Sequence, residues 1–144
     1  MRTLLCAALA ITLLVSPARA ADDVKAVKEK LQGTWVVTAA NKKGREITGP
    51  GLAKLRVVFA GDVMTIKDTD KTKGDDATIT AIDASKSPAW IDLTPAGDEG
   101  KAQGVYQLDG DTFEICFTAG PGIARPEKIG RGEKLLYLKM TRQK

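Results

Sequence analysis

The chain has 144 residues, with 22 Lys and Arg against 18 Asp and Glu for a formal charge of +4, and it contains no histidine. That length suits one domain with a real core. The missing imidazole excludes Ser-His-Asp and Cys-His arrangements, the commonest general base, and every His-containing metal site.

The N-terminus reads as a cleavable export signal over residues 1–20. Arg2 supplies positive charge, an apolar run covers 4–15, and Ala18-Arg19-Ala20 has small residues where a signal peptidase reads them. The run falls short of the roughly 20 residues a membrane span needs. Cys6 lies inside it rather than after it, which argues against a lipoprotein attachment site. The expected product is a periplasmic or secreted domain over 21–144 with no membrane anchor. Its charge falls to +2, because Arg2 and Arg19 leave with the signal. Lys25, Lys28 and Lys30 alternate with Asp22, Asp23 and Glu29, and no basic stripe carries stacking aromatics, so no nucleic-acid partner is expected.

Residues 22–32 read as a short helix. Val24, Val27 and Leu31 form one apolar stripe, Asp22 or Asp23 suits the N-terminal cap, and Gly33 is placed to end it. Everything after it reads as strands, over 34–40, 55–60, 63–67, 77–82, 90–93, 104–108, 112–118 and 134–141. Gly61-Asp62 and Asp109-Gly110 are tight hairpin signals. The segments 41–51, 68–76 and 119–132 read as longer loops, none of them a linker between domains.

Alternation assigns faces. Trp35, Val37 and Ala39 share one, as do Leu55, Val57 and Phe59; Met64 goes with Ile66, Tyr106 with Leu108, and Phe113 with Ile115 and Phe117. On the last strand Leu136, Leu138 and Met140 align, and Arg142 continues their face. About eight short strands at hairpin spacing favour a closed antiparallel barrel, because closure leaves no exposed edge. Only Cys116 remains after cleavage, so no intramolecular disulfide can form; between Ile115 and Phe117 it reads as a free, structural thiol in a strand.

A short helix followed by Gly33-x-Trp35, with a basic residue closing the last strand, resembles the lipocalin-like superfamily. The resemblance implies a basic side chain packed over the indole, with Arg142 the best match and Lys139 second. More closely, the chain resembles a family of uncharacterised exported proteins abundant in planctomycete bacteria. The blocks that carry this are Leu31-Gln32-Gly33-Thr34-Trp35, Phe59-Ala60-Gly61-Asp62, Pro88-Ala89-Trp90-Ile91-Asp92-Leu93-Thr94, Gly104-Val105-Tyr106-Gln107-Leu108-Asp109-Gly110-Asp111, Ile115-Cys116-Phe117 and Arg125-Pro126-Glu127. That family implies the barrel and supplies no established activity.

The chemistry-bearing residues read as structural. Asp109 and Asp111 flank a hairpin glycine, where Asp side chains bond local amides. Glu114 points away from Phe113, Ile115 and Phe117. Residues 68–76 resemble a calcium loop in outline, but Gly74 is one place late, Ile79 stands where the bidentate Glu belongs, and Lys71 and Lys73 offset the acids. Gly120-Pro121-Gly122 precedes no helix and reads as a connector. No catalytic residue, metal or cofactor is expected.

Two functions follow from an eight-stranded barrel. One is binding of a small, partly apolar ligand inside it, with Phe59, Met64, Ile66, Tyr106, Leu108, Phe113, Ile115 and Phe117 as candidate lining and Gly33, Trp35 and Arg142 as the structural barrel end. The other is an extracytoplasmic interaction or inhibitor module with a filled core, which presents the loops 41–51 and 119–132 to a protein partner.

Overall fold

The computed structural model describes residues 17–97 and 100–144, with the side chains of the first helix from Val24 onward. The elements are α1 (Pro17–Leu31), β1 (Gly33–Lys42), β2 (Arg45–Ile47), α2 (Gly49–Ala53), β3 (Leu55–Ala60), β4 (Val63–Asp68), β5 (Asp75–Asp83), β6 (Ala89–Pro95), β7 (Ala102–Asp109), β8 (Thr112–Thr118) and β9 (Leu135–Arg142). Each of the eight predicted strands is present. From β3 to β9 every strand pairs antiparallel with the next. The ring closes where β1 pairs with β3 on one side and with β9 on the other. The fold is therefore a closed eight-stranded antiparallel barrel with a short helix before it, the closed barrel expected from the hairpin spacing.

Three features differ from the sequence reading. Among the described residues helix α1 already covers Pro17–Leu31, so it extends N-terminal of Asp22. The alanines at positions 18, 20 and 21 have the highest helix propensity and carry the helix past the acidic pair. Asp22 and Asp23 therefore lie within the helix rather than at its cap. Residues 1–16 of the expected export signal lie outside the described residues.

The second difference is in 41–51, expected to be a loop. It holds β2, which pairs with the far half of β1 from Ala40–Ile47 to Lys42–Arg45, and the start of α2. Elements of three and five residues are too short to show a period. The β1–β2 turn places Lys43 at φ 52° and Gly44 at φ 80°, the left-handed pair that a two-residue hairpin requires.

The third is a change of face within β1. The register with β9 slips between Val37 and Ala39, so Thr38 is an extra, bulged residue. Trp35 and Val37 point into the core, but Ala40 rather than Ala39 continues that face, and Ala39 packs outside. A matching bulge at Thr80 interrupts β5. Both threonine hydroxyls donate to the carbonyl opposite the slip, Thr38 to Lys139 at 3.2 Å and Thr80 to Asp92 at 3.3 Å. Bulges bend and twist their strands, which a sheet of short strands needs in order to close on itself.

The inward faces make one continuous core that includes Trp35, Phe59, Met64, Phe113, Ile115 and Met140. A smaller cluster of Val105, Cys116 and Tyr137 lies on the outside of the barrel, beneath Ile129 and Leu135. Segment 119–134 thus folds down as a flap over β7, β8 and β9 instead of projecting into solvent.

Candidate functional site

One end of the barrel is sealed by α1. Val24 and Val27 pack toward the core and Leu31 is fully buried. Trp35 has no exposed surface and its indole Nε1 donates to the Leu31 carbonyl at 2.8 Å. The Arg142 guanidinium lies 4.4 Å over the Trp35 ring. Its Nη1 donates to the Gln32 carbonyl at 2.9 Å and its Nη2 to that of Lys30, while Asp111 is 3.4 Å from Nε. Lys139, on the opposite face, stays exposed. Gly33 has φ 113°, where a side chain is strained, although a Cβ there would only touch Arg142 Nη1 at 3.8 Å. Gln32 ties the helix end to the β3–β4 hairpin, donating to the Gly61 carbonyl at 3.0 Å and accepting from its amide at 2.8 Å.

The middle of the barrel is packed solid. Phe113 sits at the hub, with the rings of Trp35, Phe59 and Tyr106 each 5.8 Å away. Phe59, Met64, Phe113 and Ile115 are buried in this cluster, with Ile66 partly buried against it. Of the eight candidate lining residues, only three border a cavity found at the barrel ends. Phe117 does so at the open end, and Tyr106 and Leu108 at the helix end.

The open end is a mouth of about 280 Å³, with Ala102, Phe117 and Leu136 as its apolar floor and Lys42, Lys43 and Lys101 at its rim. Lys42 faces this opening because the Thr38 bulge shifts the phase of β1; its register partner is the core-facing Leu136. Among the described residues none of these three lysines forms an ion pair. The place of Lys42 at the mouth is hidden from the sequence by the bulge, whereas Lys43 and Lys101 lie just outside β1 and β7, where alternation assigns no face. At the helix end a second cavity of about 590 Å³ lies between α1, the β5–β6 connection and the flap.

The flap is held by Arg125. Its Nη2 is 2.6 Å from Asp92 Oδ1, its Nη1 donates to the Gly104 carbonyl at 2.8 Å, and its guanidinium stacks 4.5 Å from the Trp90 ring. Lys86 covers the same ring at 4.9 Å, which accounts for a tryptophan left 39% exposed. Gly104 is needed for close approach, since a Cβ there would stand 2.7 Å from the Cys116 carbonyl oxygen. Beneath the flap Cys116 is free and buried, and its thiol donates to the Gly130 carbonyl at 3.0 Å. Burial pushes that thiol up from its ordinary value, away from a nucleophilic thiolate.

Tyr137 donates to Glu114 at 2.9 Å on the outer face. Asp68 accepts from the Asp70 amide at 3.0 Å, and Asp70 pairs with Lys54. Among the described residues no cluster of three metal-ligating side chains occurs, and no described helix is long and apolar enough to cross a membrane. Comparison with protein-family models, curated proteins and solved structures finds no match to this chain.

Proposed function

We propose that this protein is an exported, non-enzymatic member of the lipocalin-like barrels that binds one small, partly apolar molecule at its open mouth. The observation that carries this reading is the asymmetry of the barrel. Trp35, Arg142 and α1 seal one end, whereas Ala102, Phe117 and Leu136 leave an apolar floor under the other. With the centre filled by the Phe113 cluster, the ligand rests on the aromatic plug instead of passing through the barrel. Its apolar part covers Phe117 and Leu136, and any polar part meets the rim lysines.

A filled centre also favours a second reading, a module that binds another protein outside the cytoplasm. In that case the recognition surface is the β1–β2 hairpin and the mouth rim, because the flap is committed to the barrel wall through Arg125.

Native mass spectrometry of the protein purified from its own host tests both. A retained small-molecule mass that disappears in Leu136→Lys supports the mouth reading. A co-purifying polypeptide with no small-molecule mass supports the module, and a bare chain with neither overturns the binder. The same spectrum tests export, since a processed chain begins at Ala21 and recovery of only the intact 144 residues would refute it.

A further inference from the structure

The larger cavity lies at the opposite end from the mouth, between α1, the β5–β6 connection and the flap. Its apolar walls come from three separate parts of the chain: Val27 of α1, Leu108 of β7 and Ile129 of the flap. Three lysines stand around it, Lys30 from the last turn of α1, Lys86 from the β5–β6 connection and Lys128 from the flap. None of them is in an ion pair among the described residues, and no carboxylate lines the cavity. Asp83 acts on Lys86 and Tyr106 from a distance, but its own carboxylate accepts from the Ser85 amide at 3.0 Å and from the Ser85 hydroxyl.

Tyr106 supplies a directional group. The residue is 4% exposed and its ring packs against Phe113, yet its hydroxyl has no hydrogen-bond partner among the described residues. That oxygen is also not sealed within the protein, because the only enclosed side-chain polar atom without a partner there is Asn41 Oδ1. A buried phenol normally finds a partner; this one opens on the cavity. Burial raises its pKa, so the hydroxyl stays protonated and available to donate.

We propose that this groove is a second binding site, separate from the mouth, for a small organic anion. The apolar body of the ligand lies against Val27, Leu108 and Ile129. Its carboxylate or phosphate faces the three lysines and accepts a hydrogen bond from the Tyr106 hydroxyl. A cavity volume of about 590 Å³ falls within the range of small-molecule sites. The proposal is independent of what occupies the mouth.

The test is an amide NMR titration of the purified protein with 2-naphthoate and 2-naphthyl phosphate, with 2-naphthamide as the uncharged counterpart. Saturable shifts at the Lys30, Gln107 and Lys128 amides are expected with the anions, and the stronger of the two identifies the acid group. The neutral amide should bind about tenfold more weakly, and added salt should weaken the anions. The combined Lys30→Gln, Lys86→Gln and Lys128→Gln variant should lose about tenfold in affinity, since it removes all three charges from exposed positions. Tyr106→Phe keeps the ring packing and should lose about three- to tenfold, the effect of one hydrogen bond, with an unchanged thermal midpoint. Equal binding of the neutral amide, or unchanged affinity in the triple-lysine variant, would overturn the proposal. So would shifts confined to Ala102, Phe117 and Leu136, or no saturable shift with either anion.

Discussion

Trp35 and Arg142 show how two residues far apart in sequence close one end of the molecule. The indole is fully buried and its N–H is satisfied by Leu31, so Trp35→Ala removes both a large apolar contact and the seat of the guanidinium. A loss of about 3–5 kcal/mol is expected, read as the shift in a denaturant midpoint at constant slope. Arg142→Ala should cost less, about 1–2 kcal/mol, because it removes stacking and hydrogen bonds at a boundary that water can reach. Reversal of that order would mean that the cation, not the indole, holds the end together. A second residue-scale effect concerns pH. Burial, aided by the bond to Glu114, pushes Tyr137 up to about 12 from an ordinary 10.0. The folded protein therefore keeps the phenol proton after the unfolded chain has lost it. Tyr137 contributes stability below pH 10 that is lost as pH rises from 10 toward 12. The stability difference between wild type and Tyr137→Phe, followed from pH 8 upward, should shrink across that window; a constant difference would contradict the assignment.

At the scale of elements, the flap matters more than its irregular backbone suggests. Segment 119–132 reads as a connector by composition, yet Arg125 fastens it to β6 and β7 through Asp92 and the Gly104 carbonyl. The Arg125 and Asp92 side chains are only 16% and 20% exposed, so removing one partner leaves the other charge poorly solvated. Arg125→Ala should release the flap and, with it, the cover over Cys116. The measurement is the rate of thiol modification by an aromatic disulfide reagent in the native state. Slow reaction in wild type and an increase of about tenfold or more in the variant are expected, since exposure limits the reaction. If wild-type Cys116 reacts as fast as free cysteine, the flap does not shield it. Here the limits of the sequence are physical. Strict two-residue alternation reveals the strands and most inward faces, from Leu55 to Met140, because one side of each strand meets the core. It misplaces Ala39 because a bulge adds one residue and inverts the count beyond Thr38. The same inversion conceals Lys42 at the mouth. Arg125 could be seen as a charged residue beside a proline, but its partner Asp92 lies 33 positions away and no local pattern joins them.

For the whole molecule, the decisive property is that a barrel of eight strands is just wide enough for side chains to fill it. Phe113 is the centre of that filling. The Trp35, Phe59 and Tyr106 rings converge on it from β1, β3 and β7, so the barrel wall is held together across its interior as well as around its circumference. With no disulfide among the described residues, packing around this plug is what joins the strands across the interior. The cavities that border this core lie at the ends of the barrel. The consequence is testable by hollowing the centre. Phe113→Ala should cost about 3–5 kcal/mol and leave an apolar void that the surrounding rings only partly collapse into. Such voids stay dry and take up small apolar molecules. Saturating benzene should therefore raise the thermal midpoint of Phe113→Ala, by linkage, well beyond any rise in the wild-type protein through its open mouth. A benzene-dependent rise in the wild type that survives Leu136→Lys would mean that the native barrel already has space at its centre, and a ligand of the kind proposed would then belong inside the ring of strands rather than at its mouth.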